Sequence, residues 1–328
     1  MYRAEKTSSQ GVPVIRLIDS AHAVEVSILP SLGNRAYQMK VCGNDILYYP
    51  PGDLAEHVRN PSLGGIPFLA PWADLLDEPA FWANGKKYAF NRSLGNIHGE
   101  RPIHGLLTAT PFWQVTELSA DQHSAHVSSR LEFWRHPDLM SQWPLAHEYE
   151  ITYRLADGVL QVKTTITNLS TDPMPVAIGF HPYYQIPGIP RDEWVAHLPV
   201  RIHVMADEHQ IPTGEMRPMD LPNPLPLKGL SLDDGFADLD RDAEGRAHFW
   251  IQAAGKTVET LFGPKYAVAT IYLPVPAPED TREFICIEPL TAIISGVNLA
   301  HQGKYSGLQT VRAGGEWVES FWIRTSGF

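Results

Sequence analysis

The chain has 328 residues, 44% hydrophobic and 19% charged, enough to bury a large core. A formal net charge of −11, with no Lys/Arg cluster to reverse it locally, argues against nucleic acid or an anionic membrane surface as the main partner. Two cysteines, Cys42 and Cys286, are too few for a disulfide framework or a thiolate metal site and imply a reducing cytoplasm.

The first residues, "MYRAEKTSSQ", lack the apolar stretch of a signal peptide. No run approaches the roughly 20 apolar residues that a membrane-spanning helix needs. "AVEVSILP" at 23–30 alternates as a half-buried strand does, and 52–59 reads as a short helical turn. "SAHVSSRLEFW" at 124–134 alternates again, and "HEYEITYRL" with "GVLQVKTTITNLS" predicts a hairpin around Asp157-Gly158. The Pro-rich stretch 218–230 reads as a long surface loop, and 232–240 as a second helical turn. Strands "FWIQAAG", "YAVATIYLP", "FICIEPL" and "EWVESFWIR" follow. With 28 prolines and 25 glycines dispersed among them, long helices have little room. No internal repeat is apparent. The expectation is one all-β domain over 1–328, built of packed antiparallel sheets.

Such sheets put chemistry at loops and strand ends. In "VAIGFHPYYQIPG" at 176–188, Val176, Ile178 and Phe180 alternate with small residues, as in a strand with one buried face. Pro182 cannot donate to a ladder and biases His181 towards an extended conformation, so the chain should leave its sheet at His181. His104 sits in "RPIHGLLT" beside a glycine that permits close approach. Asp234 lies in the acidic stretch "LSLDDGFADL", where an aspartate ordinarily makes a turn. Glu288 ends an apolar strand just before Pro289, where desolvation raises its pKa unless a donor compensates. There is no phosphate-cradling glycine loop, H-E-x-x-H or G-x-S-x-G. His98 and His104 lack a third ligand, so no metal is expected, nor a cofactor.

Taken together, "PIHGLL", "FWQV", "GFHPYY", "LDDGF" and "CIEPLT" resemble the aldose 1-epimerase (galactose mutarotase) family in order and spacing. The resemblance runs from "GGIPFLAPWA" at 64–73 to "GGEWVESFWI" at 314–323. It implies a β-supersandwich with a cleft for a small sugar, Glu288 as general base, His181 as general acid, and His104 and Asp234 as hydroxyl-binding residues. His104 fits the pattern better than His98, which has a similar His-Gly context. One departure is clear: Asp74 and Leu75 stand in "PWADLLDE" where the family's Asn and Arg are expected. Leu75 removes up to five hydrogen-bond donors from the cleft.

The implied reaction removes the C1 hydroxyl proton of a pyranose while protonating the ring oxygen. A protonated His181 needs a nearby acid to raise its pKa from about 6.5, and Asp234 is the expected neighbour. Two other readings are a hexose-6-phosphate mutarotase, with Arg101, Lys86 and Lys87 as possible phosphate cations, and a non-catalytic carbohydrate-binding protein. The acidic balance and Leu75 argue against the first. Retention of both His181 and Glu288 argues against the second, because binding alone needs no acid–base pair.

Overall fold

Apolar side chains at every second position form strands along nearly the whole length of the protein. The structure, a computed structural model, describes residues 1–91, 93, 97–275 and 282–328. The first five strands, Tyr2–Ser9, Val12–Asp19, Val24–Leu29, Arg35–Val41 and Asn44–Asp45, form an antiparallel meander in chain order. A short helix follows at Leu54–Arg59, as the sequence predicts. Asp53 caps it by accepting from the Ala55 amide at 2.8 Å.

Two larger antiparallel sheets come next. The predicted hairpin forms, with His147–Ala156 paired to Val159–Asn168. It lies in a nine-stranded sheet, where the long last strand Glu316–Ser326 joins it to Lys256–Phe262. The eight-stranded sheet contains Leu232–Leu239, Val268–Leu273 and Ile285–Leu290 as neighbours. The two sheets meet through aromatic contacts: Phe180 against Phe321 at 5.0 Å between ring centroids, and Phe68 against Tyr149 at 5.2 Å.

Three readings of the sequence are corrected here. Residues 232–239 are a strand, because Val200–Ala206 and Val268–Leu273 pair with them on both sides and supply ladder bonds that override the turn-like composition. The 218–230 segment is not wholly a surface loop, since Leu225–Pro226 joins the edge of the nine-stranded sheet and Leu225 and Leu227 are buried. Residues 176–184 have no solvent face at all; every one is buried.

Candidate active site

The strand Ile285–Leu290 is buried along its whole length, yet its two faces differ. Ile285 and Ile287 enter the main core, whereas Cys286 and Glu288 point the other way. Across from it, Gly179 pairs with Leu290 and Tyr183 pairs with Cys286. The register is the same on either side of the interruption at His181-Pro182, which sets His181 directly opposite Glu288. The chain leaves the ladder at His181, as expected, and rejoins it two residues later. His181 Nε2 lies 3.3 Å from Glu288 Oε1. Gly179 is required by packing: a Cβ there would stand 2.9 Å from the Pro289 carbonyl oxygen and 2.2 Å from Leu290 Cδ2. Two backbone bonds fix the imidazole from behind, the His181 amide to the Pro67 carbonyl at 3.0 Å and the Tyr183 amide to the Gly65 carbonyl at 2.9 Å. The Tyr183 ring stacks on it at 4.6 Å.

Asp74 and His104 come from two loops tied to each other. The His104 amide donates to the Asp74 carbonyl at 3.0 Å, and the Leu106 amide to the Ala70 carbonyl at 2.8 Å. Both Asp74 and His104 have left-handed backbones, with φ of 53° and 58°, a strained state for residues with a side chain. Gly105 makes the approach possible, because a Cβ there would lie 2.1 Å from the Ala70 carbonyl oxygen. The His104 and His181 rings meet edge to face at 5.3 Å, and Asp74 Oδ1 stands 3.7 Å from His104 Nδ1. Thr270, opposite Glu288 in the sheet, donates to Asp74 Oδ2 at 3.0 Å.

These groups line a chamber of about 210 Å³, the space of about seven waters and of the order of one sugar ring. It brings together five of the six residues singled out in the sequence: Asp74, Leu75, His104, His181 and Glu288. Asp234 is not among them. The neighbouring Asp233 lines the chamber instead, in register with Tyr272, which also faces it. Side chains alternate along a strand, so a shift of one residue moves a carboxylate to the other face. Asp234 Oδ2 lies 3.5 Å from His203 Nε2. Asp233, Tyr183, Tyr272 and Gln210 also line the chamber without having been predicted for it, as do Leu63, Ile103 and Ile294. The only sequence signal for Asp233 is its being one of two adjacent acids.

The chamber opens into an outer vestibule of about 560 Å³, sharing Leu75, His98 and Gln210 with it. His98 is exposed at the junction, whereas His104 is buried. Arg101 lines the vestibule among Asp77, Glu100 and Glu208. Lys87 is engaged by Glu78 at 2.5 Å, and Lys86 is exposed and lines neither space.

Burial dominates the electrostatics. It holds Glu288 protonated to well above the carboxyl range, reinforced by the charges on Asp74 and Asp233. It also pushes His181 well below the usual imidazole value, helped by His104. Asp74 is pushed up to about 7 by burial and then by repulsion from Asp233, against the Thr270 hydrogen bond. His104 is lowered to about 4 by burial and by His98. The acid beside His181 is therefore Glu288 rather than Asp234, and the net pull on the imidazole is downward rather than upward. The 3.3 Å contact suits an ion pair, while burial favours the neutral form; the two differ only in where one shared proton sits. His181 Nδ1, His104 Nδ1 and Glu288 Oε2 are buried with no hydrogen-bond partner among the described residues, so polar groups of a ligand can satisfy them.

The fold is antiparallel β, and its chamber gathers buried histidines and carboxyls from several strands and loops. The aldose 1-epimerase family pattern matches residues 17–324, and the chain belongs to that family. YihR, an uncharacterized protein of Escherichia coli K12, is 28% identical over 145 residues, 44% of each chain, so the match spans less than half of that relative's length. Similar solved structures include a galactose mutarotase-like protein from Clostridium acetobutylicum, 21% identical with a TM-score of 0.88, covering 100% of this chain and 99% of that one. Galactose 1-epimerase from Lactobacillus acidophilus is 13% identical with a TM-score of 0.74, over 99% and 98% of the two chains. At these identities the likeness establishes the fold, which is galactose mutarotase-like.

Proposed function

We propose that the protein is an aldose 1-epimerase that interconverts the α and β anomers of a free aldose. The observation that carries this reading is the pair His181 and Glu288, opposed across two strands at 3.3 Å inside a chamber of sugar-ring size. In ring opening, the Glu288 carboxylate takes the proton from the C1 hydroxyl as C1–O5 breaks and the C1 carbonyl forms. The ring oxygen takes a proton from the His181 imidazolium. The C1–C2 bond turns, and closure on the other carbonyl face returns both protons to their origins. Opening leaves Glu288 protonated and His181 neutral, the arrangement that burial favours. Hydroxyl groups of a bound sugar, reaching His181 Nδ1 and Glu288 Oε2, would stabilise the charged pair that opening requires.

Acid and base each contribute about 10²–10⁴-fold, so together they lower the barrier by at most roughly 6–11 kcal/mol. Asp74, His104 and Asp233 are the groups suited to hold sugar hydroxyls. The acids around Arg101 favour an uncharged sugar over its phosphate ester. Polarimetry on freshly dissolved α-D-glucose and α-D-galactose tests the reading, with hexose 6-phosphates run in parallel. Faster equilibration than buffer alone is expected for a free sugar. No acceleration with any aldose, from protein shown to be folded by circular dichroism, would overturn it.

A further inference from the structure

The chamber has two kinds of lining. Beside its carboxyls and imidazoles, Asp74, Asp233, His104, His181 and Glu288, it carries an apolar wall of Leu75, Ile103 and Ile294. That wall is a cluster distinct from the main core: Leu75 and Ile294 pack with Ile211, and Ile103 packs on them. It is also firmly held. Leu75 bridges Ile103 backbone to backbone, and the Leu75 carbonyl accepts from the Ser295 amide at 3.0 Å. Asp77, two residues on, accepts from Ser295 Oγ at 2.9 Å, Asn298 Nδ2 at 2.6 Å and Gln302 Nε2 at 3.0 Å. A sugar hydroxyl turned to this wall gives up its water and meets no donor or acceptor on the three side chains that form it. A C–H or methyl group in the same place loses nothing and gains contact.

We propose that the preferred substrate is a deoxyaldose, with hydrogen in place of one hydroxyl where the sugar faces Leu75, Ile103 and Ile294. This rests on the mutarotase reading above, and the reaction is the same ring opening and closure. A buried apolar surface discriminates against an added hydroxyl by up to about 100-fold. Anomer exchange should be measured by NMR for D-glucose and D-galactose beside their 2-deoxy and 6-deoxy counterparts. At least one deoxy sugar should show kcat/KM about 10- to 100-fold above its parent. Leu75→Gln should shrink that ratio to within about 3-fold, and Ile103→Thr should do the same if Leu75→Gln fails to fold. Parents turned over as well as, or better than, every deoxy counterpart would overturn the proposal while leaving the mutarotase reading intact. If no sugar is turned over, the mutarotase reading fails, and calorimetric titration of the same pairs decides. Tighter binding of a deoxy sugar supports the preference, and equal, weaker or no binding overturns it.

Discussion

His181 and Glu288 stand opposite one another on adjacent segments whose register survives a proline interruption, with Nε2 and Oε1 3.3 Å apart. Pro182 takes the histidine out of the ladder without shifting the strand that follows. The pair thus shares a proton in a place that no water-facing pair would occupy.

That sharing fixes a pH dependence. At low pH both groups are protonated, and at high pH neither is; only the singly protonated pair can both give and take. Burial moves the first proton loss below the ordinary imidazole value of 6.5 and the second above the ordinary carboxyl value of 4.5. The kcat profile should therefore be a broad bell whose limbs belong to the pair. Glu288→Gln should lower kcat at least 100-fold across the range and change KM by less than about 5-fold, and His181→Asn should do likewise. Steady-state kinetics from pH 4 to 10 checks this, and an unchanged kcat in Glu288→Gln would refute its role as base.

Asp233 and Asp234 should behave oppositely although they are neighbours. If a sugar is held in the chamber as proposed, Asp233→Asn removes a charge-assisted contact to it, about 1.5–3 kcal/mol, and should raise KM roughly 10- to 150-fold. Asp234→Asn acts near His203, outside the chamber, and should leave KM within about 2-fold. Equal effects of the two would mean that the strand register is wrong.

Asp74 should make stability depend on pH in an unusual direction for an aspartate. In the folded protein it keeps its proton to about 7, whereas its ordinary value is 3.8. The unfolded chain ionises first, so stability is fully present below pH 4 and is lost as pH rises towards 7. The loss is at most about 4 kcal/mol. Asp74→Asn keeps an acceptor for Thr270 and tolerates the left-handed backbone, so its advantage over wild type should grow between pH 4 and 7 and then level. Urea melts at pH 5 and pH 8 measure the difference.

Gly105→Ala should be among the most damaging one-carbon changes in the protein. It adds a Cβ 2.1 Å from the Ala70 carbonyl oxygen at a residue with φ of 65°. Left-handed strain of about 1–2 kcal/mol and overpacking of about 1–3 kcal/mol add, and His104 next to it would shift. Denaturant melts should show a loss of about 2–5 kcal/mol together with reduced turnover; a variant as stable as wild type would show that the two loops can part freely.

Much of this could be read from the residues. The span 52–59 reads as a helical turn, and the helix Leu54–Arg59 lies within it. Alternation marks the paired strands, since a half-buried sheet has one side for each kind of residue. His181 stands out because Pro182 interrupts a ladder; the sequence predicts that Glu288 ends its strand before Pro289, but the strand runs on to Leu290, with Pro289 still paired to Ala269. Four of the five chemistry-bearing side chains named from the sequence, Asp74, His104, His181 and Glu288, meet in one chamber.

What the sequence could not supply was register. "LDDGFADL" has the composition of a turn, and only strands on both sides make it a strand. Which of its two aspartates lines the chamber depends on a pairing with Tyr272 and Ile271, more than thirty residues away. The direction of the His181 shift was equally hidden, because it depends on how much water the fold removes. Residue types, and where strands begin and end, are local properties that the sequence carries on its own. Which face a side chain takes, and what its proton costs there, are set by long-range pairing and burial, and the tertiary structure alone decided them.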